Sequence, residues 1–214
     1  MILLFGSTGF IGKSVYRHLS QRGKEVTTVT RHEYDMSQPN SVTNLQRYDD
    51  IDTVIWCSGF NHNDSIGSLD HSIYDLTMDI NVNSITKSMD YLLHNKKINK
   101  GARLCIVSSI LENRGRVNKL SYCVSKSAIG GLVRASSVTL YEDAILINSI
   151  LPGPMDNDMT KKTLSNEEYQ KMSPYFVNVE DVCKMCYLLC FDNNSITGQS
   201  IQIDNGLTSK IIYA

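Results

Sequence analysis

The chain has 214 residues, with 21 Lys or Arg against 22 Asp or Glu and a formal net charge of −1. So even a balance argues against a nucleic-acid-binding or anionic-membrane surface, and no apolar run approaches the ~20 residues of a membrane span. The length suits one domain, residues 1–214, with a substantial core.

The opening Met1-Ile2-Leu3-Leu4-Phe5 is a continuous apolar run, which predicts a buried parallel strand over 2–6. It leaves no room for a targeting segment, so a cytoplasmic location is expected. The run breaks into Gly6-Ser7-Thr8-Gly9-Phe10-Ile11-Gly12, three glycines at spacing three. Glycines here allow a tight turn and close approach of the backbone to a pyrophosphate. A helix over 13–23 would then point its first N–H groups at that anion. A second strand over 25–30 ends at Val29-Thr30-Arg31-His32. A helix near 39–47, a strand over 52–57 and a helix over 73–95 follow. The remainder predicts strand 103–108, helix 122–141, strand 144–150, helix 179–191 and strand 199–203. Regular alternation implies an α/β fold, a doubly wound parallel sheet in three α/β/α layers, with ligands at the carboxyl ends of the strands.

Chemistry concentrates at Ser121-Tyr122-Cys123-Val124-Ser125-Lys126, with Ser109 upstream. Lysine four residues after tyrosine shares its helix face. Its charge is expected to draw the Tyr122 pKa down towards the working range, leaving Ser109 to hold a carbonyl or alcohol oxygen. The six cysteines, Cys57, Cys105, Cys123, Cys183, Cys186 and Cys190, mostly fall in apolar segments. They read as small core hydrophobes with free thiols, and Cys183-x-x-Cys186 is read as a helix face and not as a metal site.

Taken in order, these stretches resemble the short-chain dehydrogenase/reductase family over nearly the whole chain. The matching segments are Gly6 to Gly12, Asp79-Ile80-Asn81-Val82-Asn83, Ser108-Ser109, Tyr122 with Lys126, Pro152-Gly153-Pro154, and Thr197 to Gly206. Asn148 to Gly206 looks most like the 3-oxoacyl-carrier-protein reductases of that family. The resemblance implies a Rossmann fold and hydride exchange between a nicotinamide cofactor and a ketone or secondary alcohol. Ser109, Tyr122 and Lys126 would be catalytic, and Asn81 would hold a water in the proton relay behind the lysine. Gly6, Ser7, Thr8, Gly9, Phe10, Ile11 and Gly12 would seat the pyrophosphate. Asp35 and Met36 would meet the adenine, Ser58 and Gly59 the cofactor's centre, and Pro152, Gly153 and Met155 the nicotinamide. Tyr122 and Lys126 would also touch the nicotinamide ribose.

Two departures from the family pattern matter. Only His32, Glu33 and Tyr34 separate Arg31 from Asp35, where the family has a helix and most of a strand, so the sheet edge there should be trimmed. Trp56-Cys57-Ser58-Gly59 replaces the usual Asn-Asn-Ala-Gly. Arg31 stands where an acid would select NAD, and its guanidinium suits a 2′-phosphate, so NADP is expected over NAD. The substrate is expected to be a small carbonyl or alcohol compound covered by a loop at about 155–175. The polar Phe60-Asn61-His62-Asn63-Asp64-Ser65 stretch favours a hydroxylated ketone over a fatty acyl chain. The helices at 73–95 and 122–141, the latter with Gly130 and Gly131, suggest a homodimer or homotetramer. The alternatives are a nucleotide-sugar epimerase or dehydratase and a non-catalytic dinucleotide-binding regulator.

Overall fold

In the computed structural model, which describes residues 1–209 and only the backbone at 39 and 40, six strands lie parallel in one sheet. They are β1 (Ile2–Phe5), β2 (Val26–Val29), β3 (Ile51–Trp56), β4 (Ile98–Val107), β5 (Leu146–Pro152) and β6 (Ser200–Ile203). Their order is β2-β1-β3-β4-β5-β6. Successive side chains along a strand point to opposite faces. Thus Leu3 and Phe5 enter one core while Ile2 and Leu4 enter the other. Two-sided burial explains the unbroken apolar runs of the central strands.

Each face is covered by helices whose apolar stripes meet it. Helix α1 (Phe10–Gln21) supplies Val15 and Leu19 to one core, beside Val182, Cys183, Cys186, Leu189 and Cys190 of α7 (Val179–Phe191). The opposite core takes Ile85, Met89 and Leu92 from α3 (Ser84–His94), and Ile129 and Val133 from α4 (Leu120–Thr139). Four of the cysteines are therefore fully packed small hydrophobes, as expected, and all six thiols are free. No helix among the described residues is long and apolar enough to cross a membrane.

The sheet edge beside β2 is trimmed, as the shortened sequence implies. Two backbone bonds, Glu33 N–H to Thr30 O at 3.1 Å and Tyr34 N–H to Thr30 O at 3.0 Å, turn the chain straight back. Tyr34 then anchors the return, donating its hydroxyl to Ser84 O at 2.9 Å. The segment Pro39–Arg47 is 3-10 rather than α-helical. The helix expected over 73–95 is also divided. A π turn at Asp79–Asn83 separates α2 (His71–Met78) from α3 and brings Asn81 inward with no exposure. β4 begins at Ile98, earlier than expected, and stops at Val107, so Ser108 and Ser109 lie just beyond its carboxyl end. The expected loop at 155–175 carries two short helices, α5 (Asp158–Thr163) and α6 (Asn166–Met172). A capping box at Ser165 and Glu168 starts the second of them.

Candidate active site

The chain leaves β1 for β2 on one side and returns to β3 on the other, which opens a crevice at their carboxyl ends. Gly6 sits in that crevice at φ 75°, and a Cβ there would come within 2.6 Å of Ser58 N. Gly12 is equally constrained, because its Cβ would lie 2.1 Å from Gly6 O. Gly9 differs: its added Cβ would meet only Gly6 O, at 3.5 Å. Packing thus requires the first and third glycines, and the second leaves a clear approach to the N-terminus of α1. Gly9 has no side chain to cap that terminus, and Gly9, Phe10 and Ile11 line the cleft, so the first-turn N–H groups are open to an anion there. Ser58 and Ser108 add two buried hydroxyls without partners among the described residues on the same wall. This donor-rich strip matches the phosphates and ribose of a dinucleotide.

Ser109 follows β4 and accepts a hydrogen bond from Leu111 N–H at 3.2 Å, which starts a 3-10 turn over Ile110–Glu112. Tyr122, in the first turn of α4, faces it. Burial pushes the Tyr122 phenol up to about 12, and a hydrogen bond with the Ser109 hydroxyl opposes the rise. Lys126 lies one turn on, 2% exposed, with Nζ 5.5 Å from the Tyr122 ring centre and 3.4 Å from Val107 O. Burial pushes this ammonium down to about 8, against the attraction of Glu112. The expectation that lysine lowers the tyrosine pKa therefore needs correcting for the free protein. Desolvation dominates, with only the Ser109 hydrogen bond opposing it, so the Tyr122 phenol stays protonated.

Asn81 accepts from Phe60 N–H at 2.7 Å and donates to Phe60 O at 2.9 Å and Ser125 Oγ at 2.9 Å. It pins the chain after β3 against α4. A Cβ on Gly59 would lie 3.7 Å from both Asn81 Oδ1 and Lys126 Nζ, so glycine leaves the space beside these two groups open.

At the far end of the crevice, Arg31 and Asp35 form an ion pair at 3.2 Å, and Asp35 also accepts from Ser37 N–H at 3.0 Å. The Ser37 hydroxyl bond, the Ser37 backbone bond and Arg31 together hold the Asp35 carboxyl below its usual range despite some burial. Glu33 is turned away, accepting from Thr30 N–H at 2.7 Å and from the Thr30 hydroxyl.

Gly6, Gly9, Arg31, Asp35, Ser109, Tyr122 and Lys126 line one cleft of about 1300 Å³. Of the residues expected from sequence, all contribute to its wall except Gly12, which supports the turn, and Asn81, which lies behind it. Pro152, Gly153 and Met155, all buried, line the cleft just before α5. The cleft also contains Lys119 and Arg116, which nothing in their sequence context sets apart from surface residues. Glu112, buried behind the helix, gave no signal either.

A family model described as Enoyl-(Acyl carrier protein) reductase matches residues 11–208. Dehydrogenase/reductase SDR family member 6 of Danio rerio is 25% identical over 185 residues, covering 80% of this chain and 76% of that protein. The 3-oxoacyl-[acyl-carrier-protein] reductase of Chlamydia trachomatis is 26% identical over 214 residues, covering 96% and 86%. Among solved structures, a blue fluorescent protein from a metagenomic library in complex with NADPH superposes with a TM-score of 0.82. It is 22% identical, and the match covers 96% of both chains.

Proposed function

Because the chain belongs to the short-chain dehydrogenase/reductase family, we propose that it is an NADP(H)-dependent oxidoreductase interconverting a ketone and a secondary alcohol. The observation that carries this reading is the pairing of the Ser109 and Tyr122 hydroxyls in the cleft, with Lys126 buried one turn behind. The nicotinamide, when bound, supplies or accepts the hydride. The protein's part is orientation and proton handling. Ser109 and Tyr122 both point hydroxyls at a carbonyl oxygen, and Tyr122, protonated at neutral pH, gives up its proton as charge develops there. Lys126 then stabilises the resulting phenolate. Asn81 and Lys126, which both border the open space at Gly59, would share a water that returns the proton.

The cofactor would be held by Gly6 to Gly12 at the pyrophosphate, Asp35 and Met36 at the adenine, and Ser58 and Gly59 at the centre. Tyr122 and Lys126 would reach the nicotinamide ribose, and Pro152, Gly153 and Met155 the nicotinamide. NADP is favoured over NAD because Arg31 lines the cleft while Glu33 is occupied by Thr30. Arg31 would exchange Asp35 for the 2′-phosphate. The structurally similar metagenomic protein is itself described as an NADPH complex. A cytoplasmic homodimer or homotetramer built on α2, α3 and α4 completes the proposal, supported by the exposed Val124 and Val138 on α4.

Titrating wild type and Arg31→Ala with NADPH and NADH, followed by fluorescence, tests this directly. NADPH should bind more tightly, and Arg31→Ala should weaken NADPH selectively. Failure of both nucleotides to bind would overturn the reading.

A further inference from the structure

The chemical face of α4 continues towards its N-terminus. Lys119 is the residue from which α4 starts, three before Tyr122 and seven before Lys126, and all three line the same cleft. Lys119 is only 2% exposed, yet it borders the cleft. Its Nζ donates to Asn61 Oδ1 at 2.8 Å and lies 3.5 Å from His62 O, both uncharged acceptors.

The acids nearby are committed elsewhere. Asp64 accepts from Ser121 N–H at 3.0 Å and from the Ser121 hydroxyl. Glu168 of α6 accepts from Arg116 Nη2 at 3.1 Å. Lys119 makes no ion pair among the described residues, whereas buried lysines are ordinarily paired. Arg116 places a second positive charge on the same wall. Burial first, and then Arg116, push the Lys119 ammonium down to about 8. Asp64 and Glu168 offset this only in part, so the free protein keeps a buried cation on the cleft wall with no carboxylate bonded to it among the described residues.

We propose that Lys119, assisted by Arg116, recognises an anionic group, a carboxylate or a phosphate ester, on the ketone or alcohol substrate that reacts at Tyr122. This rests on the oxidoreductase reading above. Lys119 and Tyr122 line the same cleft, three residues apart in sequence, so one small molecule can carry both the anion and the reacting carbon. The substrate class is short oxo or hydroxy acids and their phosphate analogues. Arg116 links this recognition to α6, because an arriving anion competes with Glu168 for the same guanidinium.

The test compares matched charged and neutral probes. Binding of 2-, 3- and 4-oxopentanoate and their methyl esters, and of dihydroxyacetone phosphate and dihydroxyacetone, is measured by calorimetry with and without NADPH. NADPH oxidation is followed in parallel. At least one anionic probe should bind roughly tenfold or more tightly than its neutral partner. In Lys119→Met that ratio should collapse towards one. A lysine that merely tethers the 61–62 segment would weaken both members of a pair alike and leave the ratio unchanged. The oxopentanoates and the phosphate separate the two anion chemistries. Equal binding of charged and neutral partners in wild type, or no binding of any anion, overturns the proposal without requiring a variant. Selective anion binding with no NADPH binding would instead sustain the recognition site and remove the reductase reading.

Discussion

Gly130 of α4 lies against the carboxylate of Glu112, so close that a Cβ on the glycine would come within 2.6 Å of Oε1 and 3.0 Å of Cδ. Glu112 is buried in the turn that follows Ser109. It accepts from the Ser200 hydroxyl of β6, and Ser149 Oγ of β5 lies 3.5 Å from its other oxygen. Its carbonyl accepts from Ser127 Oγ at 2.9 Å. The acid thus joins the turn bearing Ser109 to the helix bearing Tyr122 and to both strands beneath. Glycine at 130 lets the helix settle onto it.

Two neighbouring glycines should therefore respond oppositely to alanine. Gly130→Ala must displace a carboxylate held on several sides, at a cost of about 1–3 kcal/mol. Gly131 is exposed with nothing within 4 Å of its would-be Cβ. Gly131→Ala should raise stability by up to ~1 kcal/mol through helix propensity. Denaturant unfolding of the two variants decides the matter. Equal effects would mean that Glu112 yields freely.

The glycine turn makes a similar separation between folding and binding. Gly12→Ala forces a methyl onto the Gly6 carbonyl and should destabilise the protein severely, since neither group is a mobile side chain end. Gly9→Ala meets no such contact and should cost less than ~1 kcal/mol. It should still weaken NADPH binding by about tenfold or more, because its methyl projects where a pyrophosphate would approach. Melting temperature and nucleotide titration on both variants check this. Intact NADPH affinity in Gly9→Ala would place the phosphates elsewhere.

Replacing Tyr122 by Phe removes one hydroxyl from a buried site and leaves the ring in place. Activity on any ketone that wild type reduces should fall by roughly 10²–10⁴, the usual contribution of a positioned proton donor. NADPH affinity should fall far less, because only one of the proposed cofactor contacts, that of the Tyr122 hydroxyl with the ribose, is lost. A Tyr122→Phe enzyme within a few-fold of wild type would assign the proton to another group.

The parallel sheet, its trimmed edge and the glycine turn were legible because they rest on local signals: unbroken apolar runs, glycines after a strand, and a short return to Asp35. The groups that shape the site's electrostatics were not. Glu112 stands in a polar stretch, Glu112-Asn113-Arg114, that reads as surface. It is buried only because Ser149 and Ser200, 37 and 88 residues away, come to meet it. Lys119 is enclosed by the segment from Asn61 to Asp64, another long-range contact. Asn81 was identified, but no spacing rule forecasts the π turn that aims it at Phe60. The Tyr122–Lys126 spacing placed both groups on one face correctly. It did not reveal that burial would move both pKa values towards their neutral forms.

That burial has a measurable signature in Lys126. Its ordinary pKa of 10.5 falls to about 8 in the folded protein. Below pH 8 both folded and unfolded chains carry the proton, and folding bears the full cost of burying the charge. Between about 8 and 10.5 the folded state sheds its proton first. The unfolded chain then binds more protons, and stability rises with pH. The cost relieved across that window is on the order of 3 kcal/mol. Lys126→Met should therefore be more stable than wild type at pH 7, with the difference shrinking as pH rises from 8 to above 10. Comparing the two proteins at each pH cancels the titration of Lys119, which burial also lowers to about 8. Activity should move the other way, because a neutral Lys126 cannot stabilise the Tyr122 phenolate. The kcat for a neutral ketone should fall as pH passes about 8. A stability difference flat from pH 7 to 10.5 would show that the ammonium is solvated, contrary to its 2% exposure.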